Sequence, residues 1–214
     1  MLFDLSKTYS IANTFLAELR DSHIQQDPMR FRFNLERLGS FFAYKISETL
    51  EFKEADTQTP LGIAKSSVLT EQPVIATILR AGLPMHQGFL QVFDRAESAF
   101  ITAYRKVKKS GDFTIQMEHI SAPDLNNKTI ILVDPMLATG ASIVLCAKEL
   151  IKDYAVKKLH IVSAIASSEG IRQIKANLPK ADIWVGAIDA EMTSKSYIVP
   201  GLGDAGDLAF GQKA

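Results

Sequence analysis

The residues best suited to chemistry sit close together. Asp134, Thr139 and Ser142 fall in one stretch, I-I-L-V-D-P-M-L-A-T-G-A-S-I-V-L (Ile130 to Leu145), which places a carboxylate and two hydroxyls around a turn of small side chains. Arg80 in I-L-R-A-G and Arg105 in Y-R add guanidinium groups, which grip phosphate through paired N–H donors. A carboxylate there suits two neighbouring ribose hydroxyls, and two arginines beside a phosphate cradle suit a polyphosphate. Other chemistries find little support. His23, His86, His119 and His160 are scattered without metal-ligand spacing. Nothing supplies a nucleophile triad for the one cysteine, Cys146, which reads as a small core residue.

Those side chains need a particular frame. Thr129 to Val133 is a short apolar run rich in β-branched residues, as in a buried strand of a parallel sheet. Asp134 ends that strand. From Ser142 onward, Ile143, Leu145, Ala147 and Leu150 are apolar positions of a helix. Pro135, Met136, Leu137, Ala138, Thr139, Gly140 and Ala141 make the turn between them. The first N–H groups of a helix have no intrahelical partner, and the helix dipole adds partial positive charge there. Small residues at Ala138, Gly140 and Ala141 let a phosphate reach the backbone, while Thr139 and Ser142 donate from their hydroxyls. On the turn alone, an ordinary strand-to-helix connection with a capping hydroxyl is an equal reading. No Gly-Lys-Ser/Thr closes the loop, and it lacks the dinucleotide G-x-G-x-x-G pattern.

The other elements repeat that logic. Pro73 to Leu79 reads as a buried strand with Arg80 at its carboxyl end, followed by a helix from about Leu83 to Phe93. Ser98 to Tyr104 is the next strand and ends on Arg105. Strands at about Lys158 to Ala166 and Ile183 to Ile188 flank a helix at about Glu169 to Asn177, and Trp184 reads as core. Alternating strands and helices specify an α/β fold: a parallel central sheet flanked by helices, with right-handed crossovers. In such sheets ligands bind beyond the carboxyl ends of the strands, where Arg80, Arg105 and Asp134 converge.

Around that sheet the sequence predicts three additions. The first is an N-terminal helical extension, Ser10 to about Ser22 and then Pro28 to about Leu50, the latter opened by Asp27 as cap. Arg30 and Arg32 stand in its first turns, where cations oppose the dipole, which hints at another purpose. The second is a projecting hairpin between Lys106 and Asp124 with Ser110-Gly111-Asp112 at its tip. The polar segment Glu51 to Glu71, broken by Pro60 and Gly62, reads as short edge strands and loop, or a flap beside the main sheet. The third is the tail, Y-I-V-P-G-L-G-D-A-G-D-L-A-F-G (Tyr197 to Gly211), where Pro200, Gly201, Gly203 and Gly206 forbid a regular helix and bare the backbone. Tyr197, Ile198, Val199 and Phe210 anchor it, so it can offer N–H and C=O groups to a small planar ligand.

Composition bounds the rest. The chain has 214 residues, 47% hydrophobic and 22% charged, enough for one domain spanning 1–214 with a real core. Lys+Arg and Asp+Glu are both 24, and that balance argues against a nucleic-acid partner. One cysteine, no signal-like start and no apolar run near the roughly 20 residues of a membrane helix suit a cytoplasmic protein.

D-P-M-L-A-T-G-A-S resembles the phosphoribosyl pyrophosphate (PRPP) loop of the phosphoribosyltransferases. With I-L-R-A-G, Y-R, R-F-R and Y-I-V-P-G-L-G-D-A-G-D in the same order along the chain, it resembles the uracil phosphoribosyltransferase family in particular. The resemblance implies a type I phosphoribosyltransferase fold with a C-terminal base-binding loop. It implies that Arg80 and Arg105 hold pyrophosphate, and that Asp134 through Ser142 (Asp134, Pro135, Met136, Leu137, Ala138, Thr139, Gly140, Ala141, Ser142) hold ribose and its 5′-phosphate. Ile198, Gly203, Asp204 and Ala205 would hold uracil, and Asp204 would also reach PRPP, with Mg2+ bound mainly through PRPP rather than in a metal site of the protein. Asp134, Arg105 and Asp204 are the catalytic candidates. The expected reaction transfers phosphoribosyl from PRPP to N1 of uracil, giving UMP and pyrophosphate. The resemblance also implies a homodimer or higher homo-oligomer and GTP as a candidate effector. The rival reading is a PRPP- or nucleotide-sensing regulator on the same fold; a purine phosphoribosyltransferase would usually carry two adjacent acids where this chain has Asp134-Pro135. The sequence departs from the family at Ala141, usually glycine, at K-V-K-K after Arg105, often acidic, and at Leu208-Ala209. Ala141 would be strained only where the loop needs φ > 0.

Overall fold

A computed structural model describes residues 1–107 and 113–212, with the backbone alone at 104–107 and 113–116, and the expected tip Ser110-Gly111-Asp112 lies outside the described residues. The chain runs β1 (Leu2–Asp4), α1 (Ile11–Arg20), α2 (Pro28–Ser47), β2 (Phe52–Thr59), β3 (Gly62–Leu69), β4 (Val74–Leu79), α3 (Leu83–Val92), β5 (Ser98–Val107) and β6 (Phe113–Ser121). It continues β7 (Thr129–Val133), β8 (Met136–Leu137), α4 (Ala141–Ile151), β9 (Lys158–Ser167), α5 (Ser168–Asn177), β10 (Asp182–Asp189), β11 (Glu191–Met192), β12 (Ile198–Val199) and α6 (Ala205–Phe210).

The central sheet has the order β1-β10-β9-β7-β4-β5-β6, with β8 also paired to β9. Its pairs are parallel except β5 with β6, so the sheet is mostly parallel with an antiparallel edge. Alternation along β7 shows how the layers form. Ile131 and Val133 pack with Phe31, Leu35, Leu38 and Phe42 of α2 on one face. Ile130 and Leu132 pack with Ile143, Cys146, Ala147 and Leu150 of α4 on the other. Strands covered on both faces read as continuous apolar runs, which is why β4 and β7 were visible in the sequence.

The N-terminal helices form as their signals dictate. The Asp27 carboxylate accepts from the N–H groups of Met29 and Arg30, satisfying donors the helix cannot. Glu18 of α1 takes Arg30 at 2.7 Å and Asn34 at 2.7 Å, and these donors hold its carboxyl down at about 2. Arg32 donates to the Ala209 carbonyl at 2.7 Å and lies 6.0 Å from the Phe210 ring. The arginines that oppose the dipole therefore tie α2 to α1 and to the tail.

Three expectations need correction. α2 stops at Ser47 rather than near Leu50. Residues 52–69 form one long hairpin, β2 with β3, paired in register from Phe52–Leu69 to Thr59–Gly62 and separate from the central sheet, a flap rather than short edge strands. Its strands are exposed over most of their length, with Leu69 packed against the core at its base. Finally, the tail contains a helix: α6 forms despite Gly206, because Asp204 Oδ1 accepts from the N–H groups of both Gly206 and Asp207.

Candidate active site

β7 delivers Asp134 to the carboxyl edge of the sheet. Its N–H donates to the Val162 carbonyl at 3.1 Å, and its Oδ1 accepts from Met136 N–H at 3.2 Å, which starts the turn. The chain then pairs briefly as β8 and reverses at Gly140, whose φ of 80° is the left-handed value that favours glycine. Ala141 is the exposed first residue of α4 and is not among the positive-φ residues, so the family departure there brings no backbone strain. Its N–H donates to Thr139 Oγ1 at 3.3 Å.

The loop rests on residues that the sequence reading passed over. Ser167 Oγ donates to the Ala138 carbonyl at 2.6 Å and accepts from Gly170 N–H at 2.8 Å, which caps α5. A Cβ on Gly170 would run into the Ala138 carbonyl and come within 2.8 Å of the Leu137 carbonyl. The signal was present as a serine cap with glycine at the third helical position, but it read as a helix start and nothing more.

Arg80 follows β4 across a cis Leu79–Arg80 peptide. Its guanidinium lies 3.5 Å from the Asp207 carboxylate and donates to the Gly211 carbonyl at 3.2 Å, so the sheet edge grips the tail. Its Nε is buried with no partner among the described residues. Arg105 does not end its strand: β5 continues to Val107, and Arg105 pairs in register with Ile115. Its side chain lies outside the described residues.

In the tail, β11 and β12 form a small hairpin that sets Ile198 opposite Met192. A cis Val199–Pro200 peptide and Gly201 turn the chain, Ile198 and Leu202 are buried, and α6 follows. Gly203 and Ala205 precede the first intrahelical bond, so their N–H groups are ones the helix cannot satisfy. Both capping bonds fall on Oδ1 of Asp204, a residue that also lines the cleft.

These parts meet in one cleft of about 440 Å³. Arg80, Asp134, Met136, Ala138, Ser142, Ile198, Gly203, Asp204 and Ala205 line it, with Tyr197 and Gly206. Pro135, Leu137, Thr139, Gly140 and Ala141 lie on the same turn without lining it. The start of α4, a strand-end carboxylate and the glycine-rich tail thus share one space. Cys146, behind the loop, is buried; burial first, and Asp134 second, push its thiol up to about 12, which leaves it inert. Among the described residues no cluster of His, Cys, Asp or Glu is built to hold a metal ion, and no helix is long and apolar enough to cross a membrane.

Comparison with known proteins agrees with this geometry. The family model described as uracil phosphoribosyltransferase matches residues 7–212. A protein of Porphyromonas gingivalis named uracil phosphoribosyltransferase is 48% identical over 210 residues, covering 98% of this chain and 97% of its own. One of the same name from Thermococcus gammatolerans is 38% identical, covering 92% and 87%. A solved protein structure from Aquifex aeolicus superposes with a TM-score of 0.88 at 29% identity, covering 99% and 98%. An adenine phosphoribosyltransferase from Trypanosoma brucei shares the fold, with a TM-score of 0.54 at 12% identity over 88% of this chain and 83% of that one.

Proposed function

We infer the chemistry of this site from one premise: the chain belongs to the uracil phosphoribosyltransferase family. It is a pentosyltransferase that joins the phosphoribosyl group of PRPP to N1 of uracil, giving UMP and pyrophosphate. The observation that carries the reading is the cleft that Asp134, Met136, Ala138 and Ser142 of the turn share with Ile198, Gly203, Asp204 and Ala205 of the tail.

In this reading the turn from Asp134 to Ser142 holds the 5′-phosphate at the start of α4, and Asp134 accepts from the ribose hydroxyls. Arg80 and Arg105 meet the pyrophosphate. As the bond from C1′ to pyrophosphate breaks, positive charge grows on the ribosyl carbon and negative charge on the leaving group. Fixed guanidinium groups stabilise that separation without reorganising, and the enclosed cleft holds the base nitrogen in line. The bond from C1′ to N1 then forms and the N1 proton is released. Mg2+ fits as a partner of PRPP, because the cleft offers only the separate carboxylates of Asp134 and Asp204 and a magnesium ion takes a few such oxygens beside phosphate. When bound it adds charge neutralisation on the pyrophosphate.

Family likeness also brings a homo-oligomer and GTP as an effector into this reading. The β2–β3 hairpin supports an assembly of copies, since it pairs only with itself and exposes Phe52, Leu61 and Ile63. A cytoplasmic location belongs to it too, supported by a cysteine content that needs no oxidising compartment.

The Ile198 carbonyl and the N–H groups of Gly203 and Ala205 match uracil, whose N3 donates and whose O4 accepts. Cytosine reverses both groups. Each mismatch strands a buried polar group at a cost of about 1–3 kcal/mol, so cytosine is disfavoured by about 10²- to 10⁴-fold. The test is formation of UMP from labelled uracil with PRPP and Mg2+, with 5-fluorouracil and cytosine as competitors. Uracil and 5-fluorouracil should both turn over. Equal kcat/KM for cytosine and uracil would sink the main-chain readout.

A further inference from the structure

We propose that Arg20 and Asp189 are positioning residues for the base: together they hold both main-chain groups of Gly201 and so set the affinity for uracil. The inference rests on the reading of the tail as the uracil pocket. Arg20 is the last residue of α1, and Asp189 ends β10. The guanidinium meets the carboxylate through two hydrogen bonds of 2.8 Å, one to each oxygen. Arg20 also donates to the Gly201 carbonyl at 2.9 Å, and Gly201 N–H donates to Asp189 Oδ2 at 2.9 Å. The pair thus clamps one residue by its donor and its acceptor at once.

Gly201 is the pivot of the tail. Its φ is 57°, it follows the cis peptide to Pro200, and it stands between Ile198 and Gly203. Those residues offer the main-chain groups that face the base. Main-chain groups cannot adjust by changing rotamer, so their placement must be imposed by neighbours. The Arg20–Asp189 pair imposes it from outside: neither residue lines the cleft. The carboxylate is 8% exposed and the guanidinium 23%, so the pair is largely desolvated and its two-pronged geometry is specific. Desolvation offsets much of the attraction in such a pair, so its presence is weak evidence of a purely stabilising role.

The experiment measures initial rates for the wild type, Arg20→Lys and Asp189→Asn, with uracil and PRPP varied separately and thermal unfolding recorded alongside. Lysine keeps the charge but cannot serve both carboxylate oxygens and the Gly201 carbonyl. Each variant should raise KM for uracil by about 10- to 100-fold. KM for PRPP should stay within about twofold, as expected when only base binding is lost. A merely structural pair would lower the unfolding temperature and the active fraction while leaving both KM values alone, and that result overturns the proposal. An equal rise in both KM values overturns it as well. The double exchange Arg20→Asp with Asp189→Arg recreates an ion pair but sets a donor where Gly201 N–H needs an acceptor. It should leave KM for uracil high, and full recovery would show that charge pairing alone mattered. Wild-type turnover of uracil separates the two levels: with it present, failure of the KM split removes the clamp alone, and without it the uracil reading falls and takes the clamp with it.

Discussion

Asp134 combines two tasks that a substitution can separate. Its Oδ1 shapes the turn by accepting from Met136 N–H, while its charge faces the cleft from the end of β7. In Asp134→Asn the amide oxygen can still accept from Met136, so the turn survives and the charge is lost. Stability should change by less than about 0.5 kcal/mol. Turnover should fall by at least about 10²-fold, the scale of a lost electrostatic contact to a developing charge. A large drop in unfolding temperature would mean that the residue is structural. Ala141 makes the opposite case. It lies at the exposed start of α4 with ordinary backbone angles, so its methyl group does not shape the turn. Ala141→Gly should keep full activity in the PRPP assay and lose at most about 0.5–1 kcal/mol of stability through chain entropy. A severe loss of activity would make that methyl part of the binding surface.

At the scale of elements, the PRPP turn depends on α5 beneath it. Gly170 lets α5 approach until the carbonyls of Leu137 and Ala138 lie against its Cα, and Ser167 fastens the latter. Gly170→Ala improves the intrinsic helix propensity by about 1 kcal/mol, yet the new methyl must push the turn away. KM for PRPP should rise about 10-fold or more, with KM for uracil much less affected. A more stable variant with unchanged KM for PRPP would refute this coupling. Such contacts explain which parts of the molecule could be read from the sequence. β4, β7 and β9 were legible because two-sided burial makes each an unbroken apolar run. α2 was legible because Asp27-Pro28 is a local start signal. β1, β8, β11 and β12 were not, since each has two or three residues and exists only through its partner strand. α6 was missed because counting glycines hides the cap that Asp204 supplies. Of the site, Arg80, Asp134 and the turn followed from strand ends, whereas Arg20 and Asp189 act through tertiary contacts no local pattern announces, and the cap at Ser167 announces α5 but not its bond to Ala138.

Across the whole molecule, N-terminal segments brace both the tail and the start of β10. Arg20 and Arg32 from the first helices hold Gly201 and Ala209 of the tail, and β1 completes the sheet beside β10. The corner where β1 meets the start of β10 carries a buried titratable group. His160 on β9 is buried; its Nδ1 accepts from Trp184 Nε1 at 3.1 Å, and the Trp184 ring packs 5.2 Å from Phe3 of β1. Burial is the main force that lowers its pKa from 6.5 to about 4. Asp182 lies 4.0 Å away and pulls the other way, but its carboxylate already takes the Met1 ammonium at 2.6 Å and Lys158 at 2.9 Å. Burial lowers the pKa of His86 as well. A folded-state pKa below the unfolded value means that the unfolded chain binds more protons, so stability is intact above about 6.5 and declines as pH falls towards about 4. The His160 shift corresponds to about 3 kcal/mol over that window. Glu18 and Asp182 are held below their ordinary values, so their contributions fade only at lower pH, after the histidines have begun to fail. The unfolding temperature should therefore drop between about pH 7 and about pH 5, before the carboxylates titrate. Trp184 is the chain's only tryptophan, so its fluorescence reports the same corner. His160→Asn keeps an acceptor for the indole and removes the titrating ring, and it should flatten the slope, leaving the part due to His86. An unfolding temperature that stays level across this range in the wild type would show that the buried histidines do not govern acid stability.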